Sequence, residues 1–372
     1  MKKVLVFGIT DNPGGVESVI MNYYRNIDKD KIQFDFLCNT DIVAYEDEII
    51  KLGGKVYRIT ARSKNRKEYK IQMKDFFQSH AKEYTSIWVN VCSLANIDYL
   101  KYAKKYGIKY RIIHSHNSQN MDSLLRGLMH RWNRLFIKKY ATDFWSCSDD
   151  ASKWFYSKKI INSDKFLLVK NAINYDTFKF NEVIRNEYRK KLDIEDKFVI
   201  GNVGRIHFQK NHPFIIKVFS EIHKMKKNSV LLLVGDGVEK EKIKEMVKQY
   251  NLEKNVLFLG IRKDTPQLLN AMDVFLFPSL FEGLPLALVE AQTSNLLIYA
   301  SKGRINKDIV INEDNFNFLS IEDSEKIWAE KIVSDFKKNS NDRNKDILNL
   351  LQTSGYDINQ EKEKIQKIFE RE

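Results

Sequence analysis

The chain of 372 residues has few cysteines: Cys38, Cys92 and Cys147, far apart and each in or beside a strand-like segment. Three such positions exclude a disulfide framework and a zinc spacing, and predict reduced core thiols in a cytosolic protein. No apolar run reaches 18 residues, so no segment reads as a membrane-spanning helix. The opening "MKKVLVFGITDNPGG" has two lysines but only a brief apolar stretch and no cleavage-type region. It reads as a first strand and not as an export signal. There is no internal repeat, no low-complexity segment and no G-x-G-x-x-G dinucleotide fingerprint. An aromatic-basic RNA motif is also missing, so nucleic acid is not expected as a partner. Acids are outnumbered, 49 against 62 Lys and Arg, for a net charge of +13. That excess favours anionic partners, and charge alone does not choose among nucleotides, nucleic acid and acidic lipid.

What is present is alternation. Strand-like runs ("KKVLVFGI", "FDFLCN", "KVYRIT", "SIWVNV", "YRIIHSH", "DFWSCS", "FLLVKNA") are separated by Lys- and Glu-rich helical segments. A second set follows: "KFVIGNVGR", "SVLLLVGDG", "VLFLGI", "VFLFPS" and "NLLIYAS". Twelve strands in two sets predict an α/β chain of two Rossmann-like, doubly wound domains. The expected limits are 1–175 and 176–352, with 353–372 a helix crossing back to the first domain. Its Ile365, Ile368 and Phe369 share one helical face. Ligands of such sheets bind beyond the carboxyl ends of the strands.

The chemistry-bearing residues sit at those ends. Gly14-Gly15 opens the first helix, where free amides and the dipole suit an anion, although a tight turn explains the pair equally well. Arg205 and Lys210 lie in "GRIHFQKN" after a buried-looking strand, and two cations on one loop suit a diphosphate. A solvated basic loop is the plain alternative. His114 and His116 alternate at the end of "YRIIHSH"; one suits a proton donor or a sugar-hydroxyl partner, the other a structural role. Glu282 and Glu290 bracket the Gly-Leu-Pro turn in "FEGLPLALVEA". A helical Glu290 leans back toward the loop that holds Glu282. Carboxylates accept hydrogen bonds from paired hydroxyls, so two of them suit two sugars, with the amides near Leu284 to Ala287 holding phosphate between. Dipole support by Glu282 and solvation of Glu290 are the plainer readings.

Together these segments resemble the retaining glycosyltransferases of family 4, essentially end to end. The E-x7-E signature is Glu282 to Glu290 inside "PSLFEGLPLALVEA", and "VGRIHFQKN" resembles the G-R-x-x-x-x-K-N segment. "VGDG", "LGIRKD" and "VKNAINYDTF" resemble later strand ends and the hinge, with Ala172 and Asn174 in place of the usual Gly and Asp. "GGVESVIMNYYRNID" and "IIHSHNS" are most similar to the branch that builds capsular and other extracellular polysaccharides. The resemblance implies the GT-B fold, two domains facing across a cleft with the donor on the second. It implies a nucleotide diphosphate sugar, UDP-linked, as donor and a saccharide acceptor, lipid-linked, met in the cytoplasm or at the inner membrane face. Glu290 (with Leu286 beside it) would hold the ribose, and Glu282 the sugar hydroxyls beside the reacting carbon. Arg205, Lys210 and the Gly15 amide would hold the diphosphate. His116 would face the donor sugar, and the backbone at Ile261 and Arg262 would read the base. Such chemistry needs no metal or other cofactor. The one D-x-D spelling, Asp28-Lys29-Asp30, reads as a solvated turn. An epimerase or phosphorylase on the same fold, and a non-catalytic partner of a transferase, are the competing readings.

One further segment, residues 124 to 140, places Leu125, Leu128, Met129, Trp132, Leu135 and Phe136 on one helical face. Arg126, Arg131, Arg134 and Lys138 fall on the other, with no acid. Either the apolar face packs on the first sheet and the cations are solvated, or the helix lies in an anionic membrane interface.

Overall fold

The β-rich runs become strands, and the computed structural model describes residues 1–117, 124–338 and 343–371. Contacts divide the chain into two units, Met1–Ala172 with Ile358–Glu372, and Ile173–Asp357. The first contains β1 (Lys2–Phe7), α1 (Gly15–Asn26), β2 (Ile32–Cys38), α2 (Glu46–Lys51), β3 (Val56–Arg58), α3 (Arg66–His80) and β4 (Ser86–Val91). It continues through α4 (Asp98–Lys105), β5 (Tyr110–Ser115), α5 (Leu124–Phe136), β6 (Asp143–Ser146), α6 (Asp149–Phe155), α7 (Lys158–Ile161) and β7 (Phe166–Leu168). The second contains α8 (Tyr175–Phe178), α9 (Glu182–Lys191), β8 (Phe198–Val203), α10 (His212–Met225), β9 (Ser229–Val234), α11 (Lys240–Gln249) and β10 (Val256–Gly260). It ends with α12 (Thr265–Ala271), β11 (Val274–Phe277), α13 (Leu286–Thr293), β12 (Leu297–Ser301), β13 (Phe316–Leu319), α14 (Glu325–Lys338) and α15 (Leu348–Thr353). Last comes α16 (Ile358–Phe369), which belongs to the first unit.

Both sheets are parallel, with strand orders β3-β2-β1-β4-β5-β6-β7 and β10-β9-β8-β11-β12-β13. These are the two Rossmann-like sheets expected. A parallel sheet needs cover on both faces, so its strands are apolar throughout. Every residue of β2, β9, β11 and β12 is buried. Helix starts are set by short polar side chains: Asn65 accepts from the amides of Lys67 and Glu68, and Asn181 from that of Ile184. In the first unit α16 closes one face of the sheet. Its Phe369 ring lies 5.5 Å from Phe34, 5.9 Å from Trp88 and 5.6 Å from Trp145. Ile365 and Phe369 are fully buried and Ile368 is at the margin.

Two expectations change. The short edge strand β13 was not anticipated, because "FNFL" sits among Asn, Asp and Glu that read as loop. Cys38 and Cys147 are buried and burial pushes both thiols up to about 12, but Cys92 is exposed and is no core thiol. The hinge substitutions are accommodated: Asn174 caps α8 by accepting from the Thr177 amide at 3.3 Å, and Ala172 takes no positive φ. Asp28 and Asp30 form the expected turn, with the Asp30 amide donating to Asp28 Oδ1 at 3.0 Å.

Behind the second sheet, Arg343 is 9% exposed and donates to the carbonyls of Leu269, Asn270, Met272 and Ser294. Asp273 nearby accepts from Arg185 at 2.5 Å and Arg189 at 3.2 Å. Removing Arg343 would strand several buried carbonyls. Arg343→Met should therefore lower unfolding stability by about 3 kcal/mol in a denaturant titration.

In each sheet the chain reverses its building direction once, between β1 and β4 and between β8 and β11. Such switch points open a crevice at the carboxyl ends, which is where side chains can meet a ligand.

Candidate active site

At the β8/β11 switch two loops are knit together. After β8 the chain runs through Arg205 into a short turn, Phe208–Lys210, and Asn211 then takes φ +55 to start α10. After β11 it passes Leu280 and Phe281 to Glu282. The Leu280 amide donates to the Gln209 carbonyl at 2.8 Å, and Gln209 Nε2 donates to the Phe281 carbonyl at 2.9 Å. Within this frame Lys210 Nζ meets Glu282 Oε1 at 2.7 Å, and Gln209 Nε2 reaches Glu282 Oε2 at 3.3 Å. The Lys210 and Glu282 side chains are only 16% and 8% exposed. Lys210 also sits 4.6 Å from the centre of the Phe277 ring. The ammonium has three protons and the carboxylate about four lone-pair sites, so the pair fixes both groups without exhausting either.

The neighbouring groups are less committed. Arg205 is exposed, and its guanidinium has no hydrogen bond or ion pair among the described residues. Glu290 lies in the second turn of α13, and its carboxylate likewise has no partner among the described residues. Burial pushes its pKa up to about 7. Leu286 is buried at the first turn of the same helix, where amides face outward from the helix start. Ile261, just past β10, is 56% exposed. The Arg262 side chain turns away into a local pair with Asp264, whose carboxylate also accepts from Tyr188 at 3.0 Å. That guanidinium, with the Tyr188 hydroxyl, holds Asp264 down at about 2. Packing here is tight: Gly235 has φ +136, and a Cβ there would fall 2.0 Å from the Gly204 carbonyl.

The first unit presents Gly15 after β1, at its own switch, and His116 after β5. Gly15 is exposed, and a Cβ there would meet open space. Gly14 is more confined, because its Cβ would lie 2.7 Å from the Glu17 carboxylate. Glu17 is buried, accepts from Thr10 Oγ1 at 2.5 Å, and has its pKa raised by burial. His116 pairs through Nε2 with Asn90 Oδ1 at 2.9 Å, and the His114 ring lies 4.1 Å away, so the two histidines do share a face. Burial lowers both, His116 to about 3. Neutral imidazoles suit hydrogen bonding to hydroxyls better than proton donation at neutral pH.

Thus the structure joins Lys210 and Glu282 directly. Arg205, Ile261 and the Leu286–Glu290 helix follow β8, β10 and β11 on the carboxyl side of the same sheet, and the Arg262 side chain is committed to Asp264. Three residues were missed by sequence reasoning: Gln209 and Asn90, which orient Glu282 and His116, and Glu17 under the glycine turn. All three lay inside quoted segments, but their partners are remote in sequence or depend on the fold of a loop.

Comparison with known proteins decides the family. The model for "Glycosyl transferases group 1" matches residues 184–347. The putative glycosyltransferase EpsF of Bacillus subtilis (strain 168) is 32% identical over 337 residues, 87% of this chain and 84% of that protein. The chain belongs to the group 1 glycosyltransferases. A UDP-Gal:alpha-D-GlcNAc-diphosphoundecaprenol alpha-1,3-galactosyltransferase of Escherichia coli is 27% identical over 257 residues, 65% of this chain and 63% of that one. Among solved structures, Anabaena HepE in complex with UDP and glucose superposes with a TM-score of 0.81 at 17% identity, covering 99% of both chains. At that identity the likeness establishes the shared GT-B architecture of this group 1 glycosyltransferase and nothing finer.

Proposed function

We propose that this glycosyltransferase is a retaining enzyme of the family 4 type. It would transfer a sugar from a UDP-linked donor to a lipid-linked saccharide in cell-surface polysaccharide assembly. The observation that carries the reading is the Lys210–Glu282 pair at the β8/β11 switch, with Arg205 following β8 and Glu290 on the helix that follows β11, neither having a partner among the described residues. Cleaving the bond between the anomeric carbon and the diphosphate builds negative charge on the leaving group. The Lys210 cation, held in place by Glu282, and the exposed Arg205 guanidinium, with helix-start amides, stabilise that charge. Glu282 accepts from sugar hydroxyls with its remaining lone pairs, Glu290 accepts from the ribose, and the backbone at Ile261 and Arg262 meets the base. The departing phosphate takes the acceptor proton as the acceptor oxygen joins the anomeric carbon on the same face.

The UDP in the HepE complex and the diphosphoundecaprenol substrate of the E. coli relative support the donor and acceptor classes. The reading needs no metal, since the cations are the protein's own. Calorimetry should show UDP binding that persists in EDTA, with GDP much weaker. Turnover of a UDP-sugar should give a product whose anomeric configuration, read by NMR, matches the donor. Tighter binding of GDP would reassign the base, loss of turnover in EDTA would require a metal, and an inverted product would end the retaining assignment.

A further inference from the structure

The polar face of α5 is the one that faces the protein. His130 is buried: its Nδ1 accepts from the Leu94 amide at 3.0 Å and its Nε2 donates to the Trp154 carbonyl at 3.2 Å. Asn133 donates to the Leu94 carbonyl at 2.7 Å. Arg134 donates to the carbonyls of Lys153 and Tyr156 at 3.0 and 2.6 Å, so it is a structural residue and not a solvated cation. The apolar face is left outside. Leu124 is 89% exposed, Leu128 62%, Trp132 66% and Leu135 73%. The alternative in which this face packs on the sheet is therefore wrong, and the reason is local. Two polar side chains and an imidazole satisfy backbone groups of the loop that holds Leu94 and of the end of α6, and that fixes the rotation of the helix.

Beside the ridge lies a cleft of about 530 Å³ between α3, α4 and α5. Leu128 and Trp132 form its outer wall, and Arg62, Arg66, Lys70 and Lys101 line it. Asp98 is the one acid among its lining residues, and both Arg62 and Lys101 approach it, at 3.3 and 3.5 Å. Arg66 and Lys70 are exposed and have no ion pair among the described residues. The helices α3, α4 and α5 all follow strands and begin at the carboxyl edge of the sheet, the edge that also carries Gly15 and His116.

We propose that α5 docks this protein on an anionic phospholipid surface, its ridge entering the acyl boundary while the cleft receives lipid phosphates on Arg62, Arg66, Lys70 and Lys101. Charge chooses the occupant. A second copy would bring the same cations against these, in a chain already carrying +13. A projecting row of leucines and a tryptophan beside basic side chains matches the interface of a bilayer, apolar below and anionic above. The inference does not depend on which sugar or nucleotide the protein uses.

The full-length protein should co-sediment with vesicles containing phosphatidylglycerol at low salt and not with pure phosphatidylcholine. Binding should weaken as salt rises. Each cation removed should lower partitioning about fivefold, so Arg66→Glu with Lys70→Glu should lose well over tenfold. Leu128→Ser with Trp132→Ser should also weaken binding, and the Trp132 emission, taken as the difference from Trp132→Phe, should shift to the blue on vesicles. UDP affinity, measured on the same preparations, should be unchanged in every variant, which separates this proposal from the nucleotide assignment. No binding of the wild type to anionic vesicles at low salt would overturn it. So would equal binding to neutral vesicles, or binding indifferent to both pairs of substitutions. A dimer abolished by the ridge variants, without vesicle binding, would assign the ridge to a second copy instead.

Discussion

Lys210→Ala should cut turnover roughly a hundredfold to a thousandfold, the usual loss when one preorganised partner of a developing charge is removed. Arg205→Ala should do the same to activity, and the two should differ in what they do to the fold. Lys210 is the close ionic partner of a carboxylate that is only 8% exposed. Without it Glu282 keeps one long contact to Gln209 at 3.3 Å, and a poorly paired buried charge costs about 3 kcal/mol or more. Lys210→Ala should therefore melt at a lower temperature than wild type. Arg205 is exposed and unpaired, so its removal should leave the melt unchanged. The double variant Lys210→Ala, Glu282→Gln removes the stranded charge. It should recover most of the lost stability and none of the lost turnover. Single-turnover rates and thermal melts on the four proteins decide the matter. Near-normal rates in both single variants would show that the diphosphate sits elsewhere, and recovery of activity in the double variant would make the pair structural only.

The pattern of what could be read beforehand follows from distance along the chain. Parallel strands announce themselves because burial on both faces makes each a short apolar run, and the connecting helices carry the charge. The exception, β13, is an edge strand of four residues whose partly exposed pattern leaves no such run. Loop residues at strand ends were legible as a group, since topology places each of them at the carboxyl edge of its own sheet. Their pairing was not. Lys210 and Glu282 stand 72 positions apart, and their contact depends on how the turn at Gln209 grips Phe281. The orientation of α5 was illegible for a related reason. Periodicity shows that a helix has two faces, but the carbonyls that capture Asn133 and Arg134 come from elements 19 to 39 residues away. Hydrogen bonding to those groups outweighed the ordinary preference for turning the apolar face inward. The same holds for Cys92, which follows a buried strand yet emerges at its end.

Glu290→Gln should make the ligand-free protein more stable at pH 8 while weakening its hold on UDP. An ordinary glutamate ionises near 4.5, and burial raises Glu290 to about 7. Between those values the folded chain keeps a proton that the unfolded chain releases. Stability therefore falls as pH rises from about 4.5 through about 7, and stays lower above that. A shift of this size corresponds to at most about 3 kcal/mol, and part of that is relieved by the residual exposure of the side chain. Glutamine carries no charge, so the variant should escape this penalty: near-equal stability at pH 5 and a higher denaturant midpoint at pH 8. Binding should move the opposite way. In the proposed site ribose hydroxyls would donate to the ionised carboxylate, and a charge-assisted bond of that kind is worth about 1.5–3 kcal/mol, or roughly tenfold to a hundredfold in affinity. Wild-type affinity for UDP should fall as pH drops below about 7, because the protonated carboxyl gives up the charge, whereas the variant should bind weakly with little pH dependence. A merely structural glutamate would not produce gains and losses of opposite sign. Equal UDP affinity in the two proteins at pH 8 would remove Glu290 from the nucleotide site, and a less stable variant at pH 8 would mean that its carboxylate has a partner in the folded chain. In the proposed site the ligand would supply the hydrogen bonds that the protein withholds from this half-buried acid, which offsets the cost of keeping it.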